Sequence, residues 1–516
     1  MKKPLNGIQT EMTSALPDDT SGLQFKKTVS FMKMMLRLVA LSVFIIRVVM
    51  DYLFFCDSAL LANTRQIEYA MVILWAGGMA AYAVLKMLSG KDSAVSRLGS
   101  LFKNTFRAEY CILLGIFVWG IVSCVSMGTA YKGNWVEANR YAMEDMAVSV
   151  LVFFPMPLLF DDEESLKVLR VCLNIMMTVI TVLMAVVIWN VFRSKVIRLP
   201  DGLVFMRNND ELEISCNRNT VAAYAAFTAF LCPVMMLSGT RKWAKPLYII
   251  AFLIHWVIQC LTQSTTGLLV GALSGGLMFT VFLMDRRKKG AFRRKILIAS
   301  LCGAAVLIIL WMSRTWIFRF YQVLTGSAAD TLRDMSGNDD LSGRIGIWKA
   351  AVRAIFGYNG TRSTFRNALF GYTFAGVPSV IGAICGGQMY THNQYLEIGA
   401  AMGIPALMGY IAFSVVLGIR GARILLAERG RVTLQERFII ILILSLVIGN
   451  LPEGRLIGNG YMTGCFFFLM CGWCSRRSRD LGKPSLSWKD LKGPENTQAQ
   501  ADDQTSLSVD TLSERD

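Results

Sequence analysis

About 12 apolar segments, separated mostly by short basic loops, constrain this chain more than any other feature. They read as 34–56, 67–88, 110–128, 146–160, 167–190, 219–238, 247–262, 266–284, 295–312, 394–419, 435–452 and 456–474. A helix needs roughly 20 apolar residues to cross the hydrocarbon core, because lipid offers backbone groups no hydrogen-bond partner. Of the 516 residues, 54% are hydrophobic and 17% charged, with a mean hydropathy of +0.46. That balance excludes an ordinary soluble chain. The expected fold is an all-α polytopic membrane protein of about 12 transmembrane helices, with a large external loop containing amphipathic helices. Pro155 and Pro157 mark the 146–160 segment as broken or re-entrant. The 12 cysteines form no disulfide framework; most lie within apolar runs.

The formal charge of +17 is placed as a topology signal rather than a nucleic-acid site. Alternate loops carry "KMLSGKDSAVSRLGSLFKNTFR", "GTRKWAKP", "DRRKKGAFRRK" and "IRGARILLAERGRVTLQER", and the tail begins "CSRRSR". These basic loops fall on one side, which the positive-inside rule makes cytoplasmic. Three regions follow: a cytoplasmic N-terminal tail (1–33), a membrane domain (34–475) and a cytoplasmic, disordered tail (476–516) rich in Ser, Asp, Gln and Thr. The segment from about 313 to 393 and the loop from about 191 to 218 are then external.

Two residues of the external segment stand out. "LSGRIGIWKAAVRAIFGY" (341–358) reads as an amphipathic helix, with Ile345, Trp348, Ala351, Val352 and Ile355 on one face and Lys349 and Arg353 opposite. Arg344 projects from the apolar face: either it snorkels to headgroups, or it turns inward to hold an anion with its forked donors. Further on, "THNQYLEIGAAMGIPALMGY" (391–410) passes from polar to apolar at His392, one of only two histidines. Thr391 and Gln394 have capping-box spacing, which predicts His392 at the first helical position, where the helix dipole favours a neutral imidazole able to accept a proton. His392, Leu396, Gly399 and Gly403 would form one stripe, with the two glycines admitting a close neighbour. A histidine that only caps or snorkels is the plainer alternative.

Elsewhere, Arg47 and Asp51 stand four apart within the first segment, either as a functional pair of charges inside the bilayer or as an intrahelical structural pair. His255 reads as a core histidine bonded to a neighbouring helix. "CGWC" (471–474) has redox spacing but no partner pair, which favours packing or acylation. "DDEE" (161–164) and the Asp339, Asp340 pair lack the convergent ligands of a metal site.

Together, "THNQYLEIGAAMGIPALMGY", "SGRIGIWKAA" and "NRNTVAAYAAF" resemble the His-Asn-x-x-Leu…Gly-x-x-Gly, Arg-x-x-x-Trp-x-x-Ala and Asn-x-Asn stretches of the bacterial O-antigen ligase and polymerase family, over roughly 215 to 465. The resemblance implies an enzyme of the cell membrane that transfers or polymerises a polyprenyl-diphosphate-linked glycan onto a hydroxyl acceptor at the outer face. It implies no cofactor or metal, His392 as general base, Arg344 as a donor-diphosphate ligand and Arg218 as a weaker one. One departure is that this chain reads "QSTTGLL", with Thr265 and Thr266, where the family often has Ser-Arg-Gly. Either Arg218, Arg314, Arg319 or Arg455 stands in for the missing arginine, or the donor sits differently. A transporter or flippase, which should show internal repeats and charges near the bilayer midplane, is the first rival. A metal-dependent lipid-phosphate-sugar transferase is the second.

The sidedness is testable in intact cells. Gly337→Cys should add labelling by a membrane-impermeant thiol reagent over the parent chain, and Gly290→Cys should add none. The opposite pattern would invert the topology.

Overall fold

The computed structural model describes residues 20–53, 58–88, 107–128, 135–159, 170–182, 184–185, 196–198, 204–208, 211–214, 218–237, 243–261, 264–285, 341–356, 365–385, 390–428, 431–449, 451 and 462–482. Its helices are α1 (Thr20–Leu53), α2 (Ser58–Leu88), α3 (Ala108–Gly128), α4 (Trp135–Val148), α5 (Met156–Leu159) and α6 (Arg170–Val182), then α7 (Arg218–Met236), α8 (Ala244–Leu261) and α9 (Thr265–Asp285). There follow α10 (Leu341–Phe356), α11 (Phe365–Phe370), α12 (Val377–Cys385), α13 (Gln394–Leu426), α14 (Leu434–Gly449) and α15 (Met462–Arg479). Each expected apolar segment falls on helical structure, except 295–312, which lies outside the described residues along with Arg314, Arg319 and Arg455. Among the described residues, three helices are long and apolar enough to cross a membrane: Ala108–Met127, Ala244–Leu261 and Gln394–Leu426.

The all-helical expectation needs one correction. Between α6 and α7, β1 (Val196–Arg198), β2 (Val204–Asn208) and β3 (Glu211–Ile214) form an antiparallel meander, with Ile197 opposite Phe205 and Met206 opposite Glu213. Backbone pairing between neighbouring short strands satisfies N–H and C=O groups in a segment too short and polar for another crossing.

Helix directions alternate. The end of α7 meets the start of α14, where Gln435 Nε2 donates to Val234 O at 3.1 Å. The end of α14 meets the start of α9, where Gly449 lies against Val270. The end of α13 returns to the start of α3, where Arg420 Nε donates to Glu109 Oε1 at 2.8 Å.

The 146–160 segment is broken as its prolines require. A π-turn (Ser149–Phe153) leads through Pro155 into the four-residue α5. Pro155 has no N–H for Leu151 O, four residues earlier, and the Trp75 indole donates to that carbonyl at 3.2 Å. Aromatic rings fill the space around this break: Tyr110 stacks on Phe154 at 5.5 Å, Phe154 meets Phe413 at 6.2 Å, and Phe413 meets Phe468 at 6.2 Å. Such packing matters because lipid provides no hydrophobic drive between helices. A Cβ on Gly472 would overlap the Phe154 carbonyl. The "CGWC" stretch thus places its small residue at a helix contact, with Cys471 and Cys474 both buried.

The largest departure concerns α13. Its 33 residues suggest one long span, but Gly403 has φ +83 and ψ 179, and the helix folds back on itself there. Tyr395 donates to Ser414 Oγ at 3.1 Å, and its ring lies 5.0 Å from that of Tyr410. In a straight helix, 19 residues would separate those positions by about 28 Å. A Cβ on Gly399 would lie 3.4 Å from Leu407 Cβ. Residues 394–402 are therefore a short arm doubled against residues 404–426. The second arm, at about 34 Å, is long enough to cross alone. Pro405 stands in the first turn of that outgoing arm, where a missing N–H costs nothing.

Gly403→Ala places a side chain at a left-handed φ and onto the Leu369 carbonyl. It should destabilise the detergent-solubilised protein by at least about 2 kcal/mol in thermal unfolding. Gly418→Ala, later in the same helix with open space around it, should be neutral or slightly stabilising.

Candidate functional site

The chain enters the short arm through a built turn. Tyr390 is exposed, Thr391 is buried, and the helix begins only at Gln394. Its cap is Asn393, whose Oδ1 accepts from Tyr395 N and Leu396 N, both at 3.0 Å. The expected Thr391–Gln394 capping box is therefore corrected. His392 is not the first helical residue; it precedes the cap at φ +50 and lies off the stripe that carries Leu396 and Gly399. The capping power of an Asn side chain fixed this register. The Thr391 hydroxyl and N–H instead reach Glu397 Oε2, at 2.5 and 3.2 Å. Asn393 N donates back to Thr391 Oγ1 at 3.3 Å. His392 itself is partly buried and lies within electrostatic reach of Glu397.

The other end of the short arm needs donors, because a helix terminus leaves carbonyls without partners. Ala400 O receives Tyr372 N at 2.7 Å, and Ala401 O receives Thr373 N at 2.8 Å. Met402 O receives the Trp119 indole at 3.0 Å. Ser123 Oγ donates to Phe370 O. The 371–373 strap lies so close that a Cβ on Gly371 would strike the Ala401 backbone. Asn139 of α4, itself buried, holds the strap: its Nδ2 donates to Thr373 Oγ1 at 3.1 Å, and its Oδ1 accepts from Ala375 N at 2.8 Å.

Backbone strain gathers here. Among the described residues, positive φ occurs at Gly371 (+70), Thr373 (+63), His392 (+50) and Gly403 (+83). All four belong to the strap or the short arm and its entrance. Strained φ costs on the order of 1–3 kcal/mol and persists where surrounding contacts over-determine it, as at functional sites.

Helix α10 packs on this arm through Ile355, whose Cδ1 would be 2.9 Å from a Cβ on Gly399. Its inward face differs from the expected one. Ala350, Ala351, Ala354 and Ile355 are buried, whereas Ile345 and Val352 are each 43% exposed. The doubled arm selects small residues for close approach, so the stripe turns toward the alanines. Arg344 lies partly buried, three turns before the Ile355 contact, with Lys349 and Arg353 exposed as expected. Arg344 and His392 thus stand on elements in contact. Arg218 is the first residue of α7, and its side chain lies outside the described residues.

His255 is buried and meets Thr181 Oγ1 of α6 at 2.9 Å, the inter-helix bond its sequence setting suggested. The side chains of Arg47 and Asp51 lie outside the described residues, as do 161–164 and Asp339 and Asp340. Among the described residues, no group of three or more His, Cys, Asp or Glu is placed to hold a metal ion.

At the far end of α3, charge is handled by pairing. Buried Glu109 takes Arg420, and buried Glu436 takes Arg477 at 2.6 Å. Burial, and next the nearby Arg479 charge, push Arg107 down to about 10, still cationic at neutral pH. Arg366 donates to Ser126 O at the opposite end of α3, on the side of the strap. About 26 Å of helix separates Glu109 from Ser126.

The fold and this site define a helical membrane protein with a strained hairpin at its centre. Residues 248–411 match the protein family described as O-antigen ligase, a membrane glycosyltransferase family of ligase and polymerase type. The resemblance carried by the His-Asn stretch holds over that span. Arg344 and His392 lie inside it; Arg218 lies outside. No curated protein matches the chain.

Sequence reading missed Asn139, Ser123, Trp119 and Glu397. Asn139 carried one faint signal, a lone amide three and seven residues before the buried Ala142 and Met146. Asn139→Leu strips two hydrogen bonds from a buried site. It should cost about 2–4 kcal/mol in thermal unfolding, whereas Arg140→Leu, one residue along and exposed, should stay within about 0.5 kcal/mol.

Proposed function

We propose that this protein transfers or polymerises a polyprenyl-diphosphate-linked glycan onto an acceptor hydroxyl at the outer face of the cell membrane. The carrying observation is His392, held at a strained turn on a doubled helix within the span that matches the O-antigen ligase family. His392 takes the acceptor proton as the hydroxyl oxygen attacks the anomeric carbon. The bond from that carbon to the diphosphate breaks, and the lipid diphosphate leaves with its electron pair. Direct displacement inverts the anomeric configuration. Arg344 offers a planar fork to the diphosphate and offsets its growing charge without a metal ion. Arg218 is a second contact to the donor.

The reading places about 12 crossings in the membrane domain (34–475), the tails 1–33 and 476–516 in the cytoplasm, and the site outside. Supporting the cytoplasmic placement of the tails, paired arginines gather at the start of α3.

His392→Ala should leave the protein inserted, lower transfer by about 10²–10⁴-fold and cause lipid-linked glycan to accumulate. Purified enzyme should turn over equally well in excess EDTA. Near-normal transfer by His392→Ala, together with EDTA inhibition reversed by Mg²⁺ or Mn²⁺, would instead establish metal-dependent transfer.

Arg344→Lys keeps the charge and loses the fork, so transfer should fall severely. Arg353→Lys, on the exposed face of the same helix, should be nearly silent in that assay. Equal losses would leave Arg344 as a headgroup-snorkelling residue.

A further inference from the structure

We infer that Thr391 and Glu397 form a clamp that positions the His392 imidazole for catalysis; this rests on His392 being the general base. Glu397 stands in the first turn of the short arm, and its carboxylate reaches back past the cap to the residue before His392. One oxygen, Oε2, takes both the Thr391 hydroxyl at 2.5 Å and the Thr391 N–H at 3.2 Å. On the other side of His392, Asn393 is tied to the helix by two N–H bonds and to Thr391 by a third. The histidine is thus the one residue between two pinned neighbours. That explains why a non-glycine residue holds φ +50 here, a conformation that costs roughly 1–2 kcal/mol when unsupported. Released at Thr391, the backbone would relax toward an ordinary φ and swing the imidazole away.

The clamp is not needed to start the helix. Asn393 already caps it, and Glu397 N donates to Asn393 O in the ordinary helical pattern at 2.8 Å. The bonds to Thr391 are additional, and they act on the turn alone. Thr391 and Glu397 are both buried, so water is poorly placed to replace either partner. These are positioning residues: they act through His392, without touching substrate.

The chain provides an internal probe, because its second histidine, His255, is buried and bonded to Thr181 elsewhere in the bundle. Full-length enzyme isotope-labelled at histidine should give two imidazole signals, assigned by the loss of one in His392→Ala. Thr391→Val and Glu397→Leu remove the clamp; Thr391→Ser and Glu397→Gln keep a donor or an acceptor. Transfer is assayed with the lipid-linked glycan extracted from cells carrying His392→Ala. The first pair should lower kcat about 10–100-fold with the apparent KM for that extract within twofold. They should move the His392 signal and leave that of His255 in place. The second pair should recover most of kcat. Wild-type kcat in Thr391→Val and Glu397→Leu overturns the clamp while leaving the general base intact. Movement of both signals overturns it too, by showing that the ties support the whole fold. An active His392→Ala instead removes the reading on which the clamp rests.

Discussion

Every break in a membrane helix orphans backbone carbonyls that lipid cannot satisfy, and this fold depends on how those carbonyls are supplied. Pro155 cannot donate to Leu151 O, so the Trp75 indole does. The break at Gly403 leaves Ala401 O without an intrahelical donor, and Thr373 N donates to it. The neighbouring carbonyls of Ala400 and Met402 take Tyr372 N and the Trp119 indole. Each repair reaches across to another element, so each break also becomes an inter-helix tie. Continuous helices would satisfy their own carbonyls, and α2, α3 and the strap would lose these reasons to be where they are.

The two ends of α3 show different chemistry. At its start, Glu109 is buried and tied to Arg420 and to Ser475 Oγ, while Glu436 closes a capping box with Thr433 and pairs with Arg477. A buried carboxylate without a cation would be costly, so these arginines act as counter-ions. Toward the other end of α3, most ties are neutral, namely Ser123 to Phe370 O, Asn139 to Thr373, and backbone N–H groups to Ala400 and Ala401, with the Arg366 guanidinium on Ser126 O the charged one. Neutral ties can hold strained backbone without imposing a strong local field.

The positions of the helices were legible in the sequence because hydropathy and length report whether a segment can sit in lipid. His392 and Arg344 stood out as candidates because ionisable groups at apolar boundaries are rare. The hairpin was not. "GAAMGIPALMGY" is apolar throughout, and composition does not distinguish a straight helix from one that doubles back at Gly403. The information lies in a positive φ and in donors far off in the sequence, Tyr372, Thr373 and Trp119, which periodicity does not encode. The register at His392 was misread for a related reason. Thr391 and Gln394 satisfied a local spacing rule, but Asn393 is the stronger cap, and the arm's own Glu397 took Thr391 for another purpose. The small sheet before α7 escaped because strands of 3 to 5 residues carry almost no periodic signal.

The hairpin's supports also extend past the part of the chain that matches the ligase family. Residues 248–411 include α10, the strap, the short arm and both of its strained residues, His392 and Gly403. They do not include Trp119 and Ser123 of α3 or Asn139 of α4, which hold the break and the strap from outside. The matched segment is therefore not a self-sufficient site. A strained turn keeps its geometry only while surrounding contacts over-determine it, and here part of that determination comes from helices at the other end of the sequence. A chain could keep every matched residue and still lose the strap that holds the Gly403 break through a change at Asn139. The physical unit of the site is the doubled helix together with α3 and α4.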